Sequence, residues 1–148
     1  MTTLSIEMLT KERVAEMWPV LEPYFEAACN RNEIAEDEIN TKDIFVSTQV
    51  DLAVVFVGFE DGQPACVMGL QFNNTNGKRG ADVIALAGRG LMRFKAAYWH
   101  IILEWLRANG VEFLDAYAPD RLAKIYLNRF GFDKSCSYVR MTLKGESK

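Results

Sequence analysis

At 148 residues, 49% hydrophobic and 11% aromatic, the chain has the length of one ordinary domain and enough apolar mass for a real core. That composition excludes a disordered chain, and no stretch is long and apolar enough to span a membrane. A formal charge of −3 argues against a broad surface for a nucleic-acid backbone.

Thr10 is placed to cap a helix that begins at Lys11 and carries an apolar stripe of Val14, Met17, Trp18, Leu21, Phe25 and Ala28. Pro19 and Pro23 interrupt that stripe, which predicts a kink or two shorter helices. The polar stretch "NRNEIAEDEINTKD" follows, and its end opens a second helix with Ile39, Ile44 and Phe45. "DLAVVFVGFEDGQPACVMGLQF" reads as a hairpin turning at Asp61-Gly62. Both of its runs are apolar at most positions, so these strands are expected to be covered on both faces. "NNTNGKRG" reads as a polar loop whose Lys78 and Arg79 form a solvated tip, and "ADVIALAG" as the third strand.

From Leu91 a long amphipathic helix presents Leu91, Phe94, Tyr98, Ile101, Ile102, Trp105 and Leu106 on its apolar side. Arg93, His100, Glu104 and Arg107 fall opposite. Trp99 lies beside the stripe, as a partly exposed interface anchor. Asn109-Gly110 supplies the stop. "VEFLDAYA" is a further strand, Asp120 caps the short helix "RLAKIYLNRF", Gly131 ends it, and "SYVRMTL" is the last strand. The order is helices, three strands, long helix, strand, helix, strand. Antiparallel hairpins followed by a crossover predict one domain, residues 1–148, with a mixed α/β sheet and helices on both faces.

The opening "MTTLSIEMLTKER" lacks a basic region followed by an apolar core, so no secretory signal is read there. Cys29, Cys66 and Cys136 are odd in number and widely spaced. They suggest buried or free thiols in a reducing, cytoplasmic setting. With His100 as the single histidine, no metal site is expected.

The order of elements, together with "RLAKIYLNRFGF", resembles the GNAT (Gcn5-related N-acetyltransferase) fold. Ala123, the Ile125-Tyr126 pair and the Phe130-Gly131-Phe132 ending match that family's late-helix signature. The resemblance covers roughly Leu52 to Leu143. It implies a mostly antiparallel, twisted α+β sheet that splays between its fourth and fifth strands to admit acetyl-CoA. The pyrophosphate would lie at the turn Ala87, Gly88, Arg89, Gly90 and the helix that follows, with Arg93 in reach. Free backbone N–H groups and the helix dipole favour an anion there. The turn departs from the family pattern: counted from Arg89, Met92 and Phe94 fall where small residues are usual. Little chain follows Phe132, where many relatives have two strands.

Tyr126 is the candidate acid for the leaving thiolate, and it also suits plain packing in the core. Asp115 is the candidate base, with Asp82 and Glu112 as alternatives. Two functions of different class follow. One is an N-acyltransferase moving an acetyl group from acetyl-CoA to a primary amine on a small molecule or a protein. The other is an inactive GNAT-like protein, of phage type, that binds a protein partner in the host cytoplasm or in a virion. An open edge near the C-terminus would allow a homodimer.

Overall fold

The computed structural model describes residues 2–31, 40–116, 120–134 and 141. Its elements are strand β1 (Leu4–Leu9), helix α1 (Lys11–Arg31), helix α2 (Thr41–Gln49), strands β2 (Ala53–Glu60), β3 (Gln63–Thr75) and β4 (Lys78–Gly88), helix α3 (Leu91–Ala108), strand β5 (Phe113–Ala116) and helix α4 (Asp120–Arg129). The strands form one five-stranded sheet in the order β1-β2-β3-β4-β5. The first three pairings are antiparallel, and β4–β5 is parallel, as the α3 crossover requires. The chain therefore has the mixed, mostly antiparallel α/β fold that its order of elements implied.

Strand alternation divides the core in two. Val55, Val57, Val67, Ala85 and Ala87 face α1 and α2, where they meet Val14, Leu21, Phe25 and Ile44. Phe56, Met68, Leu70, Val83 and Leu86 face α3 and α4, where they meet Trp99, Ile102, Leu106, Tyr126 and Phe130. Each central strand buries both rows of side chains, hence the nearly continuous apolar runs in β2 and β3.

Both hairpins turn on two residues in the left-handed region, Asp61 (φ 51°) with Gly62 (φ 81°) and Asn76 (φ 52°) with Gly77 (φ 76°). Such turns match the twist of the flanking strands. The expected loop "NNTNGKRG" is thus corrected to strand on either side of Asn76-Gly77, with Asn74 pairing Arg79. Arg79 is not a free tip cation. Its guanidinium carbon stands 4.5 Å from the centre of the Phe72 ring.

Three further expectations are corrected. The segment Leu4–Leu9 is an edge strand antiparallel to β2, with Ile6 opposite Gly58, where no strand was expected. Second, α1 runs unbroken through Pro19 and Pro23. The two prolines lie one turn apart on the exposed side, where water can take the carbonyls they leave without donors. Third, Trp99 is 8% exposed and Ile101 is 48% exposed, the reverse of the expected roles. Trp99 packs edge-on to Phe130 at 5.1 Å and its indole N–H donates to the Phe130 carbonyl at 3.3 Å, so α4 decides which side of α3 is covered.

The expected cap of α1 is present, and Asp120, expected as a cap, is the first residue of α4. The Thr10 hydroxyl accepts from the Arg13 N–H at 3.1 Å. Asn40 caps α2 by accepting from the Asp43 N–H at 2.9 Å. Gly110 (φ 80°) and Gly131 (φ 81°) follow the ends of α3 and α4. The expected last strand, 137–143, lies outside the described residues apart from Met141. Ile39, Tyr117 and Cys136 also fall outside them. No described helix is long and apolar enough to cross a membrane.

Candidate functional site

The turn between β4 and α3 is built by backbone constraints. Gly88 has φ 118°, and a Cβ there would lie 2.3 Å from the Ala65 carbonyl oxygen and 2.4 Å from Cys66 Cα. Only glycine lets β4 end this close to β3. The Arg89 N–H donates to that same Ala65 carbonyl at 2.9 Å and pins the turn. Ala87 is buried against the α1 side of the sheet. Gly90 (φ 70°) is the N-cap of α3 and supplies no side-chain cap. Its carbonyl accepts from the N–H groups of Arg93 at 3.0 Å and Phe94 at 3.1 Å. The N–H groups of Leu91 and Met92 belong to the first turn and have no acceptor within the helix. The N-terminus of an 18-residue helix, with its partial positive charge, therefore faces outward behind two glycines.

Of the two bulky residues that break the family spacing, Phe94 turns away from this corner. Phe94 is buried against Ala65 and Cys66, with its ring over Gly58. Met92 is 38% exposed. The candidate cations Arg89 and Arg93 both stand at the turn and share one carboxylate. Arg93 Nη2 donates to Glu60 Oε2 at 2.9 Å, and Arg89 Nη2 lies 3.4 Å from Glu60 Oε1. The sequence reading missed Glu60. It stands 33 residues before Arg93, at the far end of another strand, and only the sheet brings it near.

The parallel ladder between β4 and β5 pairs Gly80–Val83 with Phe113–Ala116. In the β3–β4 ladder Gly69 pairs Ala85 and Leu70 pairs Val83, so Ile84 is an extra residue on β4. Such a bulge bends its strand and increases the local twist.

Tyr126 and Asp115 lie on opposite faces of the sheet. Tyr126 is 6% exposed and belongs to the α3/α4 core, with Phe132 at 5.0 Å and Phe130 at 5.9 Å. Asp115 lies between Leu114 and Ala116, which pack toward α3 and α4, so its own side chain takes the α1/α2 side. There it stands opposite Asp82 in the register. The Asp82 carboxylate accepts from Asn73 Nδ2 at 2.9 Å. Burial pushes the Asp82 carboxyl above its ordinary range, the Asn73 hydrogen bond opposes that rise, and the Asp115 charge adds to it. Asn73 is a second residue that the sequence reading did not single out.

Cys66 is buried beside the turn. Burial pushes its thiol up to about 11, against smaller opposing effects of a Gly58 backbone hydrogen bond and the Arg89 charge. It is a packing residue and no ready nucleophile. Under α3, Leu86, Leu91, Phe94, Lys95, Trp99 and Phe130 are among the residues lining an apolar cavity of about 40 Å³. That volume is on the scale of a few water molecules. Among the described residues, no cluster of His, Cys, Asp and Glu could hold a metal ion.

Comparison with solved structures places this architecture. A GCN5-related N-acetyltransferase from Ralstonia eutropha superimposes with a TM-score of 0.67 at 12% identity, over 95% of this chain and 99% of that one. A predicted acetyltransferase from Clostridium acetobutylicum, solved with acetyl-CoA, gives 0.63 at 10% identity, over 95% and 96%. An aminoglycoside acetyltransferase from an uncultured soil metagenomic sample, solved with sisomicin, gives 0.65 at 15% identity, over 95% and 97%. No family model matches the sequence, and no curated protein matches it as a relative. The chain has a divergent GNAT fold, established by its three-dimensional similarity to acetyltransferases over nearly its full length. The similar structures lend no support to a phage-type or virion-associated protein.

Proposed function

We propose that the chain is a GNAT-type N-acyltransferase that moves an acetyl group from acetyl-CoA to a primary amine. The observation that carries the proposal is the uncapped N-terminus of α3, set behind Gly88 and Gly90 and flanked by Arg89 and Arg93. Its outward N–H groups and two guanidiniums have the charge and the donors that a pyrophosphate needs. Phe94 is buried away from the Gly90 backbone, and the Arg93 guanidinium lies over it. Support also comes from the solved structures of the same fold, one holding acetyl-CoA and one an aminoglycoside.

Bound at this turn, acetyl-CoA would supply a thioester carbonyl. Asp115 on β5 and Tyr126 on α4 are the base and acid this reading assigns, one on each face of the sheet. The amine enters from the α1/α2 side and gives a proton to Asp115. Its nitrogen forms the new bond to carbon as the carbon–sulfur bond breaks. Tyr126, from the other side, gives its hydroxyl hydrogen to the departing sulfur. The acceptor would be a small-molecule amine such as an aminoglycoside, or the amino group of a protein.

Thermal unfolding with and without acetyl-CoA tests the cofactor half, with Arg89→Ala as the control. Ligand at about a hundred times its dissociation constant should stabilise the fold by roughly 2.7 kcal/mol. The shift should weaken in Arg89→Ala. No shift at millimolar acetyl-CoA would refute the proposal. Release of free thiol in the presence of sisomicin or of an alanine-terminated peptide then distinguishes the acceptor classes, and Tyr126→Phe should slow it without weakening acetyl-CoA binding.

A further inference from the structure

Glu60 occupies the place of an anion at the turn. Its two oxygens are shared between the two guanidiniums, Oε2 at 2.9 Å from Arg93 Nη2 and Oε1 at 3.4 Å from Arg89 Nη2. The carboxylate is the sheltered member of the trio, with its side chain 19% exposed against 59% for Arg89 and 49% for Arg93. Its position is fixed by the sheet. Glu60 is the last residue of β2 and pairs with Gln63 across the Asp61-Gly62 turn. That turn is tied to the start of the chain: the Thr3 N–H donates to Asp61 Oδ1 at 2.9 Å, and the Asp61 N–H donates to the Thr3 carbonyl at 2.8 Å.

The clasp also folds Arg93 back over the turn. A Cβ built on Gly90 would come within 2.9 Å of Arg93 Nη2, so the guanidinium lies over the N-cap itself. Without Glu60, two positive charges would flank a helix N-terminus that is already partially positive. With it, one of the two is neutralised from inside the molecule.

The geometry points to Glu60 as an internal competitor for the turn, a carboxylate that holds Arg89 and Arg93 until a diphosphate displaces it. This rests on the reading of the turn as a pyrophosphate site. The Arg93 nitrogen that donates to Glu60 is also the one over Gly90. A diphosphate reaching the Leu91 and Met92 N–H groups must either take that nitrogen from Glu60 or accept a carboxylate beside its own negative charge. Both arginines are about half exposed, so the exchange needs no opening of the core. Glu60 would set how tightly the turn holds its anion and, by neutralising one cation, make that affinity less salt-dependent than in its absence.

Calorimetric titration of acetyl-CoA, and separately of inorganic pyrophosphate, into the wild-type chain, Glu60→Gln and Glu60→Gln/Arg93→Ala tests the assignment. Glu60→Gln should bind both probes about fivefold more tightly at low salt, as expected for loss of one partly exposed charge interaction. The gain should vanish in the double variant. Tight binding by the wild type with equal or weaker binding by Glu60→Gln would overturn the competitor and leave the proposed function standing. No binding by either chain would overturn both. Glu60→Ser, checked by circular dichroism, serves as the second variant should Glu60→Gln not fold.

Discussion

The ring of Phe94 occupies the space that a side chain at Gly58 would need: a Cβ there would lie 2.7 Å from both Cδ1 and Cε1 of the ring, and 2.8 Å from Cys66 Sγ. This contact seats the first turn of α3 on β2 and keeps Phe94 out of the β4–α3 corner. Gly58→Ala should therefore destabilise the fold by about 1–3 kcal/mol, the usual range for overpacking a filled core. Chemical denaturation would measure it. Gly58→Ala combined with Phe94→Ala should lose less than the sum of the two single changes, because the smaller ring site admits the new methyl. Simple additivity would show that the two residues do not compete for space.

Pro19 and Pro23 offer a stabilisation that the fold does not use. Pro19 gives no N–H to the Ala15 carbonyl, and Pro23 gives none to the Pro19 carbonyl. Both are exposed, so alanine at either position meets no packing obstacle. Pro19→Ala should raise stability by about 1 kcal/mol or more. The ceiling is the ~3 kcal/mol by which proline disfavours a helix interior, less the extra freedom alanine gives the unfolded chain. A melting temperature unchanged or lowered by Pro19→Ala would mean that the proline ring makes a favourable contact of its own.

Asp82 gives a pH dependence of definite sign. Its folded-state carboxyl is raised above the ordinary value, chiefly by burial. In the window between its ordinary and raised values the native state holds more protons than the unfolded chain, so stability falls as the pH rises through it. Below that window the penalty is absent. Asp82→Asn should therefore melt at a higher temperature than the wild type near neutral pH. The two chains should converge as the solution becomes acidic. A difference that grows on acidification would reverse the assignment.

Local pattern carried much of this fold. The hairpin at Asp61-Gly62, the Thr10 cap, the stripe of α1 and the stop at Asn109-Gly110 each lie within a few residues, and each is legible from residue type. Leu4–Leu9 was missed, although "LSIEML" alternates apolar and polar over its first five residues, as an edge strand does. The identity of the covered side of α3 was not legible. Trp99 and Ile101 are equally apolar on a helical wheel, and only the arrival of Phe130 from α4 decides between them. For the candidate site, the Gly88–Arg93 turn was visible because its parts are adjacent in the chain. Its partner Glu60 was not, because a carboxylate ending one hairpin strand has no local mark that links it to arginines beyond two more strands. The placement of Asp115 and Tyr126 on opposite faces likewise depends on strand parity and helix packing together.

The additional residue in β4 has a consequence for any transfer of function onto this chain by position. Ala81 and Val83 point toward α3 and α4, and beyond Ile84 it is the even-numbered Leu86 that does so, while Ala85 and Ala87 point the other way. Odd and even exchange meaning at one peptide. A relative aligned here without that insertion would have every side chain of the strand's second half assigned to the wrong compartment, up to the glycine where the helix begins.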